Sequence, residues 1–112
     1  MKIVVQKYGG SSLATPERID SVATRIKRKV EEGYKVVVVA SAMGKTTDEL
    51  IDLARSIAEN PDPREMDMLL STGEQISAAL LAMALKGKGV KARSYNALQI
   101  EIKTTDHHTS AR

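Results

Sequence analysis

A chain of 112 residues has room for one domain and a single hydrophobic core. With 42% apolar and 28% charged residues it is neither disordered nor fibrous, and with no Cys it has neither disulfides nor thiolate metal sites. A net charge of +3 and three Tyr as the only aromatics leave neither a concentrated basic face nor a base-stacking platform, which argues against nucleic-acid binding.

In chain order, residues 2–6 (Lys-Ile-Val-Val-Gln) predict a short buried strand, broken by Gly9-Gly10-Ser11-Ser12. Thr15-Pro16 opens a helix, with Thr as N-cap and Pro at the first helical position. Ile19, Val22, Ala23, Ile26 and Val30 recur on one face, and Gly33 ends the helix. Tyr34 to Ala40 predicts a second strand, and its apolar run from Val36 suits a parallel strand covered on both faces. Strand, helix, strand at this spacing makes a βαβ unit. After a small, polar loop at 41–47, a helix is expected from Asp48 to Glu59, with Leu50, Leu53, Ala54 and Ile57 inward. Asn60-Pro61-Asp62-Pro63 is a turn. A long helix follows from Arg64 to Lys86, its stripe formed by Met66, Leu69, Gly73, Ile76, Leu80 and Met83. Val90–Tyr95 and 98–103 predict third and fourth strands, leaving a sheet edge open to self-association. No run approaches the roughly 20 apolar residues of a membrane span, and no signal peptide opens the chain. No membrane partner is therefore expected, and a cytoplasmic location fits the missing Cys.

Three segments carry chemistry. Lys7-Tyr8-Gly9-Gly10-Ser11-Ser12 lies at the carboxyl end of the first strand, where open α/β sheets bind ligands. Its glycines let backbone N–H groups approach a phosphate, and Lys7 supplies positive charge for a transferred phosphoryl group. The alternative is a plain turn with an exposed Lys. Ala40 to Asp48 joins the second strand to a helix. Its Gly44-Lys45-Thr46 hints at a P-loop, but the motif's first Gly falls on Val39, within a strand. A better reading is a short loop facing a ligand at a helix N-terminus, against the alternative that Thr46 or Thr47 caps the helix. Ser71-Thr72-Gly73-Glu74-Gln75 interrupts the long helix with a Gly that costs about 1 kcal/mol relative to Ala, so packing or a ligand must offset it. Glu74 has no Lys or Arg three or four residues away, and a substrate ammonium would pair with it; a solvated carboxylate or a distant ion pair is the alternative. Adjacent His107-His108 share no helix face and have no carboxylate cluster beside them, so no metal site is expected. Arg25, Lys27, Arg28 and Lys29, among Glu31 and Glu32, read as a solvated face.

Together these segments resemble the N-terminal part of the aspartate kinases, within the amino acid kinase family, with Gln99, Thr104, His108, Ala111 and Arg112 at similar spacing. Tyr8 and Ser11 depart from a more usual Phe and Thr, and Glu101 and Thr105 from a more usual Gly and Asp or Asn. The resemblance implies an α/β fold, an αβα sandwich around a mainly parallel sheet, of which residues 1–112 form the N-terminal portion. It implies transfer of the ATP γ-phosphoryl group to the side-chain carboxylate of L-aspartate, the step that opens lysine, threonine and methionine synthesis. Lys7, Tyr8, Gly9, Gly10 and Ser41 would face the ATP phosphates, bridged by Mg²⁺. Thr47 would contact aspartate, and Glu74 would hold its α-ammonium. Such catalytic domains are longer than this chain, so these residues supply part of an active site. The alternative in another class is a non-catalytic domain that binds a small anion, an amino acid or a partner chain.

Overall fold

A computed structural model describes residues 2–96. The elements are β1 (Ile3–Tyr8), a 3-10 turn (Gly10–Leu13), α1 (Pro16–Glu31), β2 (Lys35–Ala40), α2 (Thr46–Ile57) and α3 (Pro63–Gly87).

α1 begins and ends where its residues dictate. Thr15 Oγ1 accepts a hydrogen bond from the Arg18 N–H at 3.2 Å, and Pro16 takes the first helical position. At the other end Gly33 adopts φ +96°. The Gly33 and Tyr34 N–H groups then reach back to Val30 and Lys29 carbonyls at 3.0 and 3.3 Å. This closure satisfies carbonyls the helix leaves unpaired. It also releases the chain directly into β2.

β1 and β2 form a parallel pair in the register Ile3↔Lys35 through Lys7↔Val39 and Tyr8↔Ala40. That register carries β1 two residues past the expected end at Gln6. Val4, Gln6 and Tyr8, with Val36, Val38 and Ala40, are half-buried on one face. Ile3, Val5, Lys7, Val37 and Val39 are exposed on the other. Among the described residues β2 is therefore covered on one face, not both.

The core is the layer of α1 and α3 against that face. Leu13, Ile19, Val22, Ala23 and Ile26 meet Leu81 and Leu85, with Tyr8, Val36, Val38 and Ala40 packed alongside. Lys88 Nζ pairs with Asp20 Oδ1 at 2.9 Å and ties the end of α3 to α1. Val30, expected inward, sits at the margin of the core, 37% exposed.

The later elements depart further from expectation. α2 has no fully buried residue: Leu50 and Ala54 are half-buried, while Leu53 and Ile57 are exposed. α3 buries Gly73, Ser77, Leu81 and Leu85. Of the stripe expected there only Gly73 is buried, and Ile76, Leu80 and Met83 face outward. The third strand does not form over Val90–Tyr95. Val90 instead donates its N–H to Leu85 O at 3.0 Å, closing α3 behind Gly89 at φ +83°. The fourth strand expected at 98–103 lies outside the described residues. α3 is also long and apolar enough by composition to cross a membrane, with a window of mean hydropathy 1.4, although charged and polar residues interrupt its apolar run. A core helix of a soluble fold meets the same criterion, and α3 packs on α1, α2 and β2.

Candidate active site

Parallel strands place the loops after β1 and β2 at the same end of the sheet. Backbone hydrogen bonds lock those loops together. The Ser41 N–H donates to Tyr8 O, and the Gly44 N–H donates to Gly10 O, both at 3.0 Å. Within the first loop, the Ser12 N–H donates to Gly9 O at 3.1 Å. The Arg18 guanidinium donates to Ser11 O at 2.8 Å, anchoring the loop to the first turn of α1.

Two glycines permit the close approach. A Cβ on Gly10 would stand 2.8 Å from the Ala42 carbonyl oxygen, too close for any side chain. A Cβ on Gly73, midway along α3, would stand 2.9 Å from Ala42 Cβ and 3.3 Å from Thr46 Cγ2. Ala42 is thus the meeting point of all three candidate segments. Sequence reasoning missed it, since an alanine in a small-residue loop carries no chemical signal. The cost of Gly73 within a helix did signal a packing or ligand constraint, and the packing is here.

The second loop is not a P-loop. Val39, where the motif's first Gly would stand, pairs with Lys7 inside the sheet. Gly44 supplies instead the positive φ of +41° for a tight turn, closed by the Thr46 N–H donating to Met43 O at 2.8 Å. Neither Thr46 nor Thr47 caps α2. Lys45 holds the N-cap position without a side-chain cap bond, and the threonines are the first two helical residues.

Tyr8 is committed to the frame: its hydroxyl donates to Gln6 Oε1 at 3.0 Å and its carbonyl accepts from Ser41. In the third segment, Ser71 and Thr72 hydroxyls return to Met68 and Leu69 carbonyls at 2.7 and 2.6 Å. Glu74 is exposed. Among the described residues ion pairs join Lys29 to Glu32, Arg64 to Glu65 and Lys88 to Asp20, and none involves Glu74, Lys7 or Lys45. Lys7 lies near the end of β1 on the exposed sheet face. The structure therefore brings Gly10, Ala42, Thr46 and Gly73 together, with Ser41, Thr47 and Glu74 as their chain neighbours, and among the described residues no ion pair joins Lys7 to Glu74. His107, His108, Gln99 and the remaining tail positions lie outside the described residues. Within those residues no group of three or more His, Asp or Glu is placed to hold a metal ion. A cavity of about 370 Å³ opens elsewhere, between α1, β2, α3 and 90–95, and of the candidate segments Ala40 alone reaches its lining.

The model for the amino acid kinase family matches residues 2–112. An aspartokinase from Geobacillus stearothermophilus is 57% identical over all 112 residues, and one from Mycolicibacterium smegmatis is 55% identical over the same span. The chain covers 28% and 27% of those two relatives, so it spans little more than a quarter of their length. Among solved structures, the aspartate kinase from Synechocystis superposes with a TM-score of 0.75 at 62% identity, over 77% of this chain and 15% of that one.

Proposed function

Because the chain belongs to the amino acid kinase family, we propose that its three converging loops supply part of a site that phosphorylates the side-chain carboxylate of L-aspartate with ATP. The observation that carries this reading is the contact of Gly10, Ala42, Thr46 and Gly73 at the ends of β1 and β2. It brings a glycine loop and a helix N-terminus to one place beside Gly73, whose chain neighbour Glu74 carries a carboxylate with no ion-pair partner among the described residues. The aspartokinase names of relatives more than half identical to the chain support the choice of substrate.

Phosphoryl transfer depends on positioning and on stabilising charge, more than on covalent work by the protein. The Gly9-Gly10 and Ser41 backbone would approach the ATP phosphates, and Lys7 would offset negative charge on the transferred group. Thr47 would orient the acceptor, and Glu74 would pair with its α-ammonium. Mg²⁺ would be carried on the phosphate oxygens, where the ion would neutralise charge. A cytoplasmic setting and an entry step into lysine, threonine and methionine synthesis go with this reading.

The test is aspartate-dependent release of ADP by the full-length polypeptide that carries this chain. Turnover that requires L-aspartate and falls by at least about 100-fold in Lys7→Ala supports the reading, the scale of losing a key charge-stabilising donor. A folded protein that releases no ADP with aspartate, or a Lys7→Ala variant that turns over normally, overturns it.

A further inference from the structure

Gly73 stands in the interior of α3, where glycine is an unfavourable choice. Its φ is not positive, so the backbone does not need it. Space does. The position is buried, and a methyl group there would meet Ala42 Cβ at 2.9 Å and Thr46 Cγ2 at 3.3 Å. The next buried position along the same line of α3 is Ser77, which is wholly enclosed and directs its hydroxyl back to Gly73 O at 3.4 Å. Beyond it come Leu81 and Leu85. The buried line thus runs small to large. α3 rests on leucines at its far end and approaches the 41–46 loop closely at Gly73.

We propose that Gly73 is a positioning residue: its missing side chain sets the approach of α3 to the Ala42–Thr46 loop, and so the placement of Glu74 relative to Thr47. The inference rests on the aspartate reading of Glu74 and Thr47 given above. Each of these residues is the chain neighbour of one partner in the contact, so a change in that contact is passed on through a single peptide unit. An added methyl must retreat by roughly 0.5–1 Å to reach ordinary van der Waals separation. A displacement of that size weakens a charge-assisted contact of the kind assigned to Glu74, whose full loss lowers affinity by about 10- to 100-fold. Ser41 is likewise a chain neighbour of Ala42, but it is tethered to β1 by its N–H to Tyr8 O, and Gly44 to Gly10 O, hydrogen bonds that hold the nucleotide loops against such a push. The effect should therefore fall on aspartate and spare ATP.

The experiment measures KM for aspartate and for ATP in the full-length polypeptide that carries this chain. The variants are Gly73→Ala, Gly73→Ala with Ala42→Gly, and Glu74→Gln. The expected result is a rise of about tenfold in aspartate KM for Gly73→Ala, from the weakened Glu74 contact. ATP KM should hold, and the double variant should recover most of the loss because Ala42→Gly removes the atom the new methyl strikes. An unchanged aspartate KM overturns the inference, as does an equal rise in both KM values without recovery, the pattern of general loosening. Should Gly73→Ala not accumulate as folded protein, Ala42→Ser crowds the same contact from the loop side, with the same expectation and the same refutation. Glu74→Gln separates the two claims. If it leaves aspartate KM unchanged, the substrate reading fails; if it raises aspartate KM while Gly73→Ala does not, only the positioning role fails.

Discussion

Gly9 and Gly10 are adjacent, share one loop and should respond in opposite ways to the same substitution. The Gly10 Cβ would sit 2.8 Å from the Ala42 carbonyl oxygen and 3.5 Å from the Gly44 nitrogen. Both neighbours are backbone, so the clash cannot be relieved by turning a side chain. The loops must part, and the hydrogen bond from the Gly44 N–H to Gly10 O, now 3.0 Å, is strained with them. Overpacking of this kind costs about 1–3 kcal/mol. A weakened backbone hydrogen bond adds up to about 1 kcal/mol. A net loss of about 2 kcal/mol lowers the melting midpoint of a chain this size by about 8–10 °C. At Gly9, φ is −80° and nothing lies within 4 Å of a new Cβ. Gly9→Ala should therefore be neutral, or stabilise by up to about 1 kcal/mol through a less flexible unfolded chain. Thermal unfolding followed by far-ultraviolet circular dichroism compares the two variants directly. Equal destabilisation by both, or a neutral Gly10→Ala, would refute the account of how the loops meet.

Other outcomes follow from the same packing. Leu81→Ala, at a position 3% exposed between α1 and the sheet, should cost about 2–5 kcal/mol in denaturant unfolding. Met83→Ala, two residues on and 66% exposed, should stay within about 0.5 kcal/mol. In nucleotide titrations Lys7→Ala should weaken ATP binding more than Lys45→Ala, since Val39 denies the Lys45 loop the geometry of a P-loop. The opposite ranking would return the P-loop reading to contention.

How far the sequence alone reached depended on the range of the interactions involved. α1 was legible because its signals are local: a Thr-Pro start, a Gly end, and Ile19, Val22, Ala23 and Ile26 at helical spacing. The βα loops were legible as well, since turn residues mark them and parallel strands put them at one end. α3 was legible as a helix but not in its orientation. Its apolar residues run nearly all round, with Leu69, Leu70, Ile76, Leu80, Leu81, Met83 and Leu85 covering several faces, so periodicity selects none of them. The small residues Gly73 and Ser77 decide the matter by permitting close approach, and residue size enters no hydrophobic pattern. Val90–Tyr95 looks like a strand by composition, but a strand needs a ladder partner, and the Val90 N–H is engaged in closing α3. Half-coverage of β2 was likewise out of reach, because an apolar run gives no sign of which face is packed. For the candidate site, Gly10 and Gly73 could be named from sequence; their common partner Ala42 required the structure.

The most direct test of the central claim is to titrate the full-length polypeptide with L-aspartate and with succinate, which keeps both carboxylates and lacks the ammonium. The account predicts that aspartate binds more tightly than succinate by at least about tenfold, the size of one charge-assisted contact, and that Glu74→Gln abolishes that preference. Equal binding of the two acids, or a preference that survives Glu74→Gln, would contradict it.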